Sequence, residues 1–232
     1  MQGISVFFPL RCGSQRVVNK NTRPFLTDGT SIFQHKMNQL INILDLVDEI
    51  IISTDDENVK EQAKPFLSNK VKLVSRPREL CLSTTKVLDL IDYVPKVVNY
   101  ENILWLHATA PFVDEVDYKH AISLYEAHVI NGEKDSLMSV NKLQQFIWDD
   151  VRKKVINVDR NINPWPNTQD LEPLYEINHA FYMSSKENYL NLNDRVGLNP
   201  YLFITESFKK MDIDWPEDFE VASQIAKIKG VN

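Results

Sequence analysis

Apolar and polar positions along this chain follow two rhythms that alternate. Ile4 to Leu10 is a short, nearly continuous apolar run, the pattern of a strand buried on both faces. Residues 30 to 47 switch to helical spacing through Ile32, Phe33, Met37, Leu40, Ile41 and Leu44. The alternation continues with strands at Glu49–Ser53, Val71–Val74, Ile103–Leu106 and Ser136–Val140. Helices are predicted over 57–67, 84–98 and 114–128. Strand alternating with helix predicts an α/β fold, a Rossmann-like open, mostly parallel sheet flanked by helices.

The rhythm weakens after about residue 141. Residues 141–178 are polar and aromatic and hold Pro164, Pro166 and Pro173, so they read as an insertion of short hairpins or irregular chain. Late strands are expected at Ala180–Met183 and Tyr201–Thr205, and a terminal helix at Glu217–Ile228 with Asp214 as a possible N-cap. The organisation expected is one domain over 1–232 that carries this insertion.

Composition narrows the function classes. The chain has 232 residues, 43% hydrophobic and 25% charged, as in an ordinary globular protein. A formal net charge of −6 disfavours a dedicated nucleic-acid binder. No apolar window reaches the ~18 residues of a membrane span. The first residues carry no positive charge before Arg11 and predict a strand, not a signal peptide. Cys12 and Cys81 lack metal-ligand spacing and are too few for a disulfide scaffold, so the cytosol is the expected compartment.

Open parallel sheets bind ligands beyond the carboxyl ends of their strands. The polar segments there are 11–21, 54–56, 76–85 and 107–111. The first, Arg11-Cys12-Gly13-Ser14-Gln15-Arg16-Val17-Val18-Asn19-Lys20-Asn21, holds three cations, a glycine and a hydroxyl. Phosphate binding needs this mixture: free N–H groups, close backbone approach and fixed positive charge. A solvated basic turn has the same composition, and the segment matches neither the P-loop nor G-x-G-x-x-G. Near the other end, Asp212 and Asp214 stand two residues apart. On an extended segment both point to one face, about 6–7 Å apart, where hard oxygen donors can hold Mg²⁺ against a triphosphate. An N-cap beside a solvated acid is the structural alternative.

The first loop resembles the nucleotide-binding signature A-R-G-G-S-K-R-I-P-x-K-N of the acylneuraminate cytidylyltransferases, the CMP-sialic acid and CMP-Kdo synthetases and their kin. Arg11, Gly13, Ser14, Arg16, Lys20 and Asn21 stand in register, while Gln15 and Val18 depart from it. Ile52-Ser53-Thr54-Asp55-Asp56 is similar to V-S-T-D-D, Arg76-Pro77-Arg78-Glu79-Leu80 to R-P-A-E-L, and Leu106–Pro111 to L-Q-P-T-S-P. Gln169-Asp170-Leu171 with Asn178 resembles Q-x-L…N-G, and Asp212–Asp218 resembles D-I-D-T-P-E-D. The matches run in order from residue 4 to 222.

The resemblance implies transfer of CMP from CTP to a nonulosonic acid or similar sugar acid, with release of pyrophosphate, in cell-surface glycan biosynthesis. It implies that Arg11 and Lys20 hold the phosphates, helped by N–H groups near Gly13 and Ser14, with Arg16 as a further phosphate contact. Asn21, Arg76, Ser83 and His107 fall at nucleotide positions. His107, Gln169, Asp170, Tyr175, Asn178 and His179 fall on the acceptor side, and Asp212 and Asp214 at the Mg²⁺ position. It further implies a homodimer, with 141–178 reaching the partner's site, and neither nucleic acid nor membrane as partner.

The departures cluster on the acceptor side. His107 replaces a glutamine, Thr168 an arginine and His179 a glycine, and Asp149 and Glu172 add negative charge. A carboxylate needs donors or cations to offset its desolvation. These losses leave another acceptor open: a polyol phosphate, a phosphonate or a different sugar acid. A D-x-D glycosyltransferase and a non-catalytic nucleotide-binding relative also remain open.

Overall fold

Val6, Phe7 and Phe8 are wholly buried, which places β1 (Ile4–Leu10) inside the protein rather than at an edge. The structure, a computed structural model, describes residues 3–13 and 16–231. Seven strands form one sheet. β1 is followed by β2 (Glu49–Thr54), β3 (Val71–Ser75), β4 (Asn102–Leu106) and β5 (Ser136–Leu143). A small antiparallel hairpin of β6 (Trp148–Asp149) and β7 (Lys154–Val155) comes next, then β8 (Leu174–Ser185) and β9 (Pro200–Thr205). The spatial order is β3-β2-β1-β4-β8-β5-β9. All neighbouring pairs are parallel except those of β8, which runs antiparallel to both β4 and β5.

Alternation along β1 assigns the two faces. Val6, Phe8 and Leu10 pack with α1 (Ile32–Ile41), α2 (Glu57–Ala63), α4 (Glu115–Tyr125) and α6 (Pro216–Lys229). Phe7 on the other face packs with Ile51, Trp105, α3 (Val87–Val97) and Tyr189 of α5 (Lys186–Leu192). Polar residues at the helix starts stop the strands' exits from drifting. In α1 the Ser31 hydroxyl accepts from the Gln34 N–H while the Gln34 side chain accepts from the Ser31 N–H. In α4 the Asp114 carboxylate accepts from the N–H groups of Val116 and Asp117.

The observed elements depart from the sequence expectations in four places. The predicted strand at Ala180–Met183 is the second half of a twelve-residue strand, β8. Its first half projects with Tyr175, Glu176 and Ile177 exposed, so it carries no buried-strand signature. With β5 running to Leu143, the irregular stretch covers 144–173 rather than 141–178. Helix α5 was not expected, since it buries only Tyr189 and shows no apolar stripe. The N-cap of α6 is Trp215, not Asp214: the Asp218 carboxylate reaches back to the N–H groups of both.

A bulge in the β5–β8 ladder between Met138 and Val140 shapes the site. Asn178 is held there in a buried polar network. Its side-chain oxygen accepts from Ser139 Oγ and the Ala180 N–H, and its amide donates to Asn141 and Thr205. Next to it His179 has φ +57°, the left-handed region that glycine occupies without strain. This is the position where the resembling signature has glycine.

Candidate active site

A cleft of about 410 Å³ opens beyond the carboxyl ends of the parallel strands. It straddles β1 and β4, where the chain order along the sheet reverses, the usual ligand position in such sheets. Pro9, Leu10, Trp105 and Ala108 line it from the strand ends, and Val87 and Leu90 from α3. Arg11, Arg16, Lys20 and Asn21 enter from the first loop, and Arg76 from the end of β3. His107 and Thr109 follow β4, His179 lies in β8, and Asp212 and Asp214 precede α6. A larger cavity of about 880 Å³ lies within 154–172 and gathers none of these groups.

The first loop is pinned from both sides. The Cys12 N–H donates to Asp55 Oδ1 at 2.8 Å, so the acidic end of β2 anchors the start of the loop. Val17 is buried, and the Lys20 N–H donates to the Val17 carbonyl. Gly13 takes φ +72°, a conformation that a side chain would strain. Ser14 lies outside the described residues. The Lys20 ammonium donates to the Ile213 carbonyl at 2.6 Å, and Arg16 pairs with Asp214 at 2.8 Å while its guanidinium sits over the Trp215 ring. Loop and acidic segment are therefore one unit, although some 190 residues separate them.

The acidic segment is set by its middle residue. Ile213 is buried and its N–H donates to the Thr109 carbonyl, which leaves Asp212 and Asp214 both lining the cleft. Burial holds the Asp212 carboxyl above its ordinary range, and the Asp214 charge adds to this. Burial lowers the Lys20 ammonium, against the pull of the two aspartates. Two like charges in a partly desolvated cleft favour a bound cation, and the donor set is all oxygen. No cluster of three or more His, Cys, Asp or Glu occurs among the described residues, so remaining ligands would have to come from substrate and water.

Arg76 is buried and donates to the carbonyl and hydroxyl of Ser53, and burial lowers its pKa. It is held in place by β2 rather than free to follow a ligand. Cys81 donates towards the Pro77 carbonyl, and burial raises its thiol to about 11, so it is not an activated nucleophile.

Several positions expected at the site lie elsewhere in the single chain. Asn178 serves the β-bulge from within the core and does not line the cleft. Ser83 is exposed and away from the lining. Gln169 and Asp170 lie on a short 3₁₀ turn, where Asp170 accepts from Asn167 and the Gln169 carbonyl accepts from Gln144. Tyr175 sits on the projecting half of β8, paired with Lys142. Asp149 pairs with Arg152 on the β6–β7 turn, and Glu172 is exposed. Neither adds charge to the cleft, contrary to the expectation from sequence.

No cation is expected from the sequence beside His107 and His179, whereas the structure supplies Arg195 there. It comes from the loop after α5, is only 9% exposed, and lines the cleft. Its guanidinium lies 4.0 Å from the Tyr182 ring centroid and 4.9 Å from that of Trp105. It faces His107 Nε2 at 3.3 Å and His179 Nδ1 at 3.5 Å, and donates to the Tyr182 hydroxyl at 3.2 Å. Burial, then the Arg195 charge, pushes His107 down to about 3 and also lowers His179. Both imidazoles are therefore neutral at pH 7. No motif flags Arg195; a lone arginine between Asp194 and Val196 gives no sequence signal.

A cation-rich glycine loop facing paired carboxylates at the switch point of a parallel sheet is the arrangement that phosphate-bearing ligands require. The cytidylyltransferase family model matches residues 6–231, and the chain belongs to that family. It is 26% identical over 217 residues to the N-acylneuraminate cytidylyltransferase of Streptococcus agalactiae serotype III (strain NEM316), covering 91% of this chain and 50% of that protein. The chain thus spans about half the length of that relative. It is 25% identical over 230 residues to the pseudaminic acid cytidylyltransferase of Campylobacter jejuni subsp. jejuni serotype O:23/36 (strain 81-176), covering 95% of this chain and 94% of that one. Among solved structures, CMP:2-keto-3-deoxy-manno-octonic acid synthetase in complex with CTP shares the fold at TM-score 0.68 and 16% identity, covering 98% of this chain and 99% of that one. No helix is long and apolar enough to cross a membrane among the described residues.

Proposed function

We propose that this protein transfers CMP from CTP to a sugar acid, with release of pyrophosphate. The observation that carries this is the pairing, across one cleft, of Arg11, Arg16 and Lys20 with Asp212 and Asp214. A triphosphate needs that arrangement: fixed cations for its oxygens, and carboxylates that hold a cation rather than repel the substrate. The relatives named above, a sialic-acid and a pseudaminic-acid cytidylyltransferase, support the acceptor class.

The acceptor hydroxyl attacks the α-phosphorus of CTP and gives up its proton to solvent; the new P–O bond forms, the bond to the β-phosphate oxygen breaks, and pyrophosphate leaves. Arg11 and Lys20 neutralise charge on the phosphates. Arg16, already paired with Asp214, holds the loop in register with the acidic segment. Arg76 and Asn21, which also line the cleft, would contact the base and ribose. Catalysis here is positioning and charge neutralisation. Asp212 and Asp214 would hold Mg²⁺, which when bound withdraws charge from the phosphate oxygens. Neutral His107 and His179 keep positive charge off the acceptor side except at Arg195.

We further place the protein in the cytoplasm, where CTP is available, and infer that it works as a homodimer. Support for the dimer is the stretch 144–173, which exposes Trp148, Val151, Ile162 and Trp165. Gln169 and Asp170 from this stretch, and Tyr175 from the projecting half of β8, none of them lining the cleft of their own chain, would reach a partner's acceptor. The test of the reaction is pyrophosphate release from CTP and Mg²⁺ with a panel of N-acetylneuraminate, Kdo, pseudaminate, polyol phosphates and phosphonates. Release that needs a sugar acid supports the reading. Release only with a polyol phosphate or phosphonate replaces the acceptor, and none with any member removes the reaction.

A further inference from the structure

We propose that Arg195 is the specificity-determining residue of this site: its guanidinium receives the carboxylate of the acceptor. The proposal rests on the transfer reaction proposed above and names the group that selects its second substrate.

Four observations converge on Arg195. It is more than nine-tenths buried, yet no carboxylate pairs with it among the described residues. The neighbouring Asp194 instead accepts from the Val196 N–H. Buried charges are ordinarily paired, so an unmatched guanidinium lining a cleft marks a place where an anion belongs. Second, its protein partners are neutral: two imidazoles, a phenol and the faces of two rings. They orient the guanidinium without neutralising it.

Third, the arginine is on a fixed loop. The Asp135 carboxylate accepts from the N–H groups of Leu198 and Asn199 at 2.6 and 2.7 Å, and Ser136 Oγ accepts from the Gly197 N–H. A Cβ at Gly197 would come within 2.3 Å of the Asp135 carboxylate and push on the group that holds the loop. Pre-ordering of this kind lowers the cost of holding a ligand. Fourth, Trp105 is 1% exposed, lines the same cleft, and its indole N–H has no partner among the described residues. A buried donor left open beside a buried cation suits a ligand that brings oxygen acceptors.

Position separates this group from the triphosphate cations. Arg11, Arg16 and Lys20 belong to the β1 side and the acidic segment. Arg195 sits against β4 and β8, through Trp105, His107, His179 and Tyr182. A single planar fork whose protein partners are all neutral suits a monoanionic carboxylate, which it can meet with two parallel N–H bonds.

The test compares wild type with Arg195→Gln and Arg195→Lys. N-acetylneuraminate, Kdo and pseudaminate are each used as the acid and as the corresponding carboxamide. Wild type should prefer the acid. Arg195→Gln should lose on the order of 100-fold in kcat/KM for the acid and little for the amide, which collapses the ratio. Arg195→Lys should recover part of it, and CTP affinity by calorimetry should not change. An acid-to-amide ratio unchanged by Arg195→Gln overturns the proposal, as does a matching loss of CTP affinity. Pyrophosphate release only with acceptors that lack a carboxylate leaves the transfer reaction standing and removes this subsite. If no acceptor turns over, titration of the acids into wild type and Arg195→Gln decides. Acid binding that Arg195→Gln loses supports the subsite, and equal or absent binding overturns it.

Discussion

Asp212 and Asp214 show how much one residue's surroundings decide. Asp212 carries a raised pKa because it is desolvated beside a second carboxylate. Replacing it with Asn removes a charge that the folded chain disfavours. Asp212→Asn should therefore keep or raise thermal stability while kcat falls on the order of 100-fold or more. Calorimetric melting beside pyrophosphate kinetics checks this, and full activity in the variant would remove the carboxylate from the account. Arg11→Ala should weaken CTP binding through lost charge-assisted contacts, read by titration. Buried His35 gives a prediction about pH. Burial pushes it down to about 4, and its Nε2 lies 3.1 Å from the Pro111 carbonyl. The unfolded chain binds that proton near pH 6.5, the folded chain only near 4. Stability should thus be full above pH 6.5 and fall, by at most about 1.4 kcal/mol per pH unit, between 6.5 and 4. His35→Gln should flatten the slope of stability against pH measured by urea unfolding. His179 belongs to the same scale: at φ +57° His179→Gly should not destabilise the fold, and should alter only the acceptor side.

Among the elements, the ones that hold the site are not the ones with strong patterns. Strands β1, β2 and β4 were legible because burial on both faces makes them continuously apolar. The first loop and the acidic segment were legible because phosphate and metal chemistry demand particular side chains at fixed spacing. The loop carrying Arg195 was not, since its order comes from Asp135 and Ser136, some 60 residues earlier. The projecting half of β8 and helix α5 were missed for the complementary reason: they bury too little to impose a period. The loop also carries a prediction. Asp135→Ala should release Leu198 and Asn199 and let Arg195 drift. Acceptor KM should rise by about 10- to 100-fold with CTP affinity kept, because misplacement of a positioned group costs at that order. Unchanged acceptor kinetics would mean that the loop is held by other contacts.

At the scale of the whole molecule, the sheet separates two jobs. Its β3-β2-β1 half presents Arg11, Lys20 and Arg76, and its β4-β8 half His107, His179 and Arg195, with the cleft across the β1–β4 boundary and the two halves the proposed nucleotide and acceptor sides. The antiparallel insertion of β8 between β4 and β5 brings His179 and Tyr182 beside His107, and so builds a pocket for Arg195 that no single motif encodes. That explains why the sequence left the acceptor open: cations were sought at the signature's own positions, whereas Arg195 enters the cleft from a different loop. The central claim is CMP transfer to a sugar acid. The most direct measurement is pyrophosphate release from CTP and Mg²⁺ with N-acetylneuraminate, Kdo and pseudaminate, each against a control without acceptor. The account predicts release that depends on at least one of these acids and is lost in Asp212→Asn. Tight CTP binding with no acid-dependent release would contradict it.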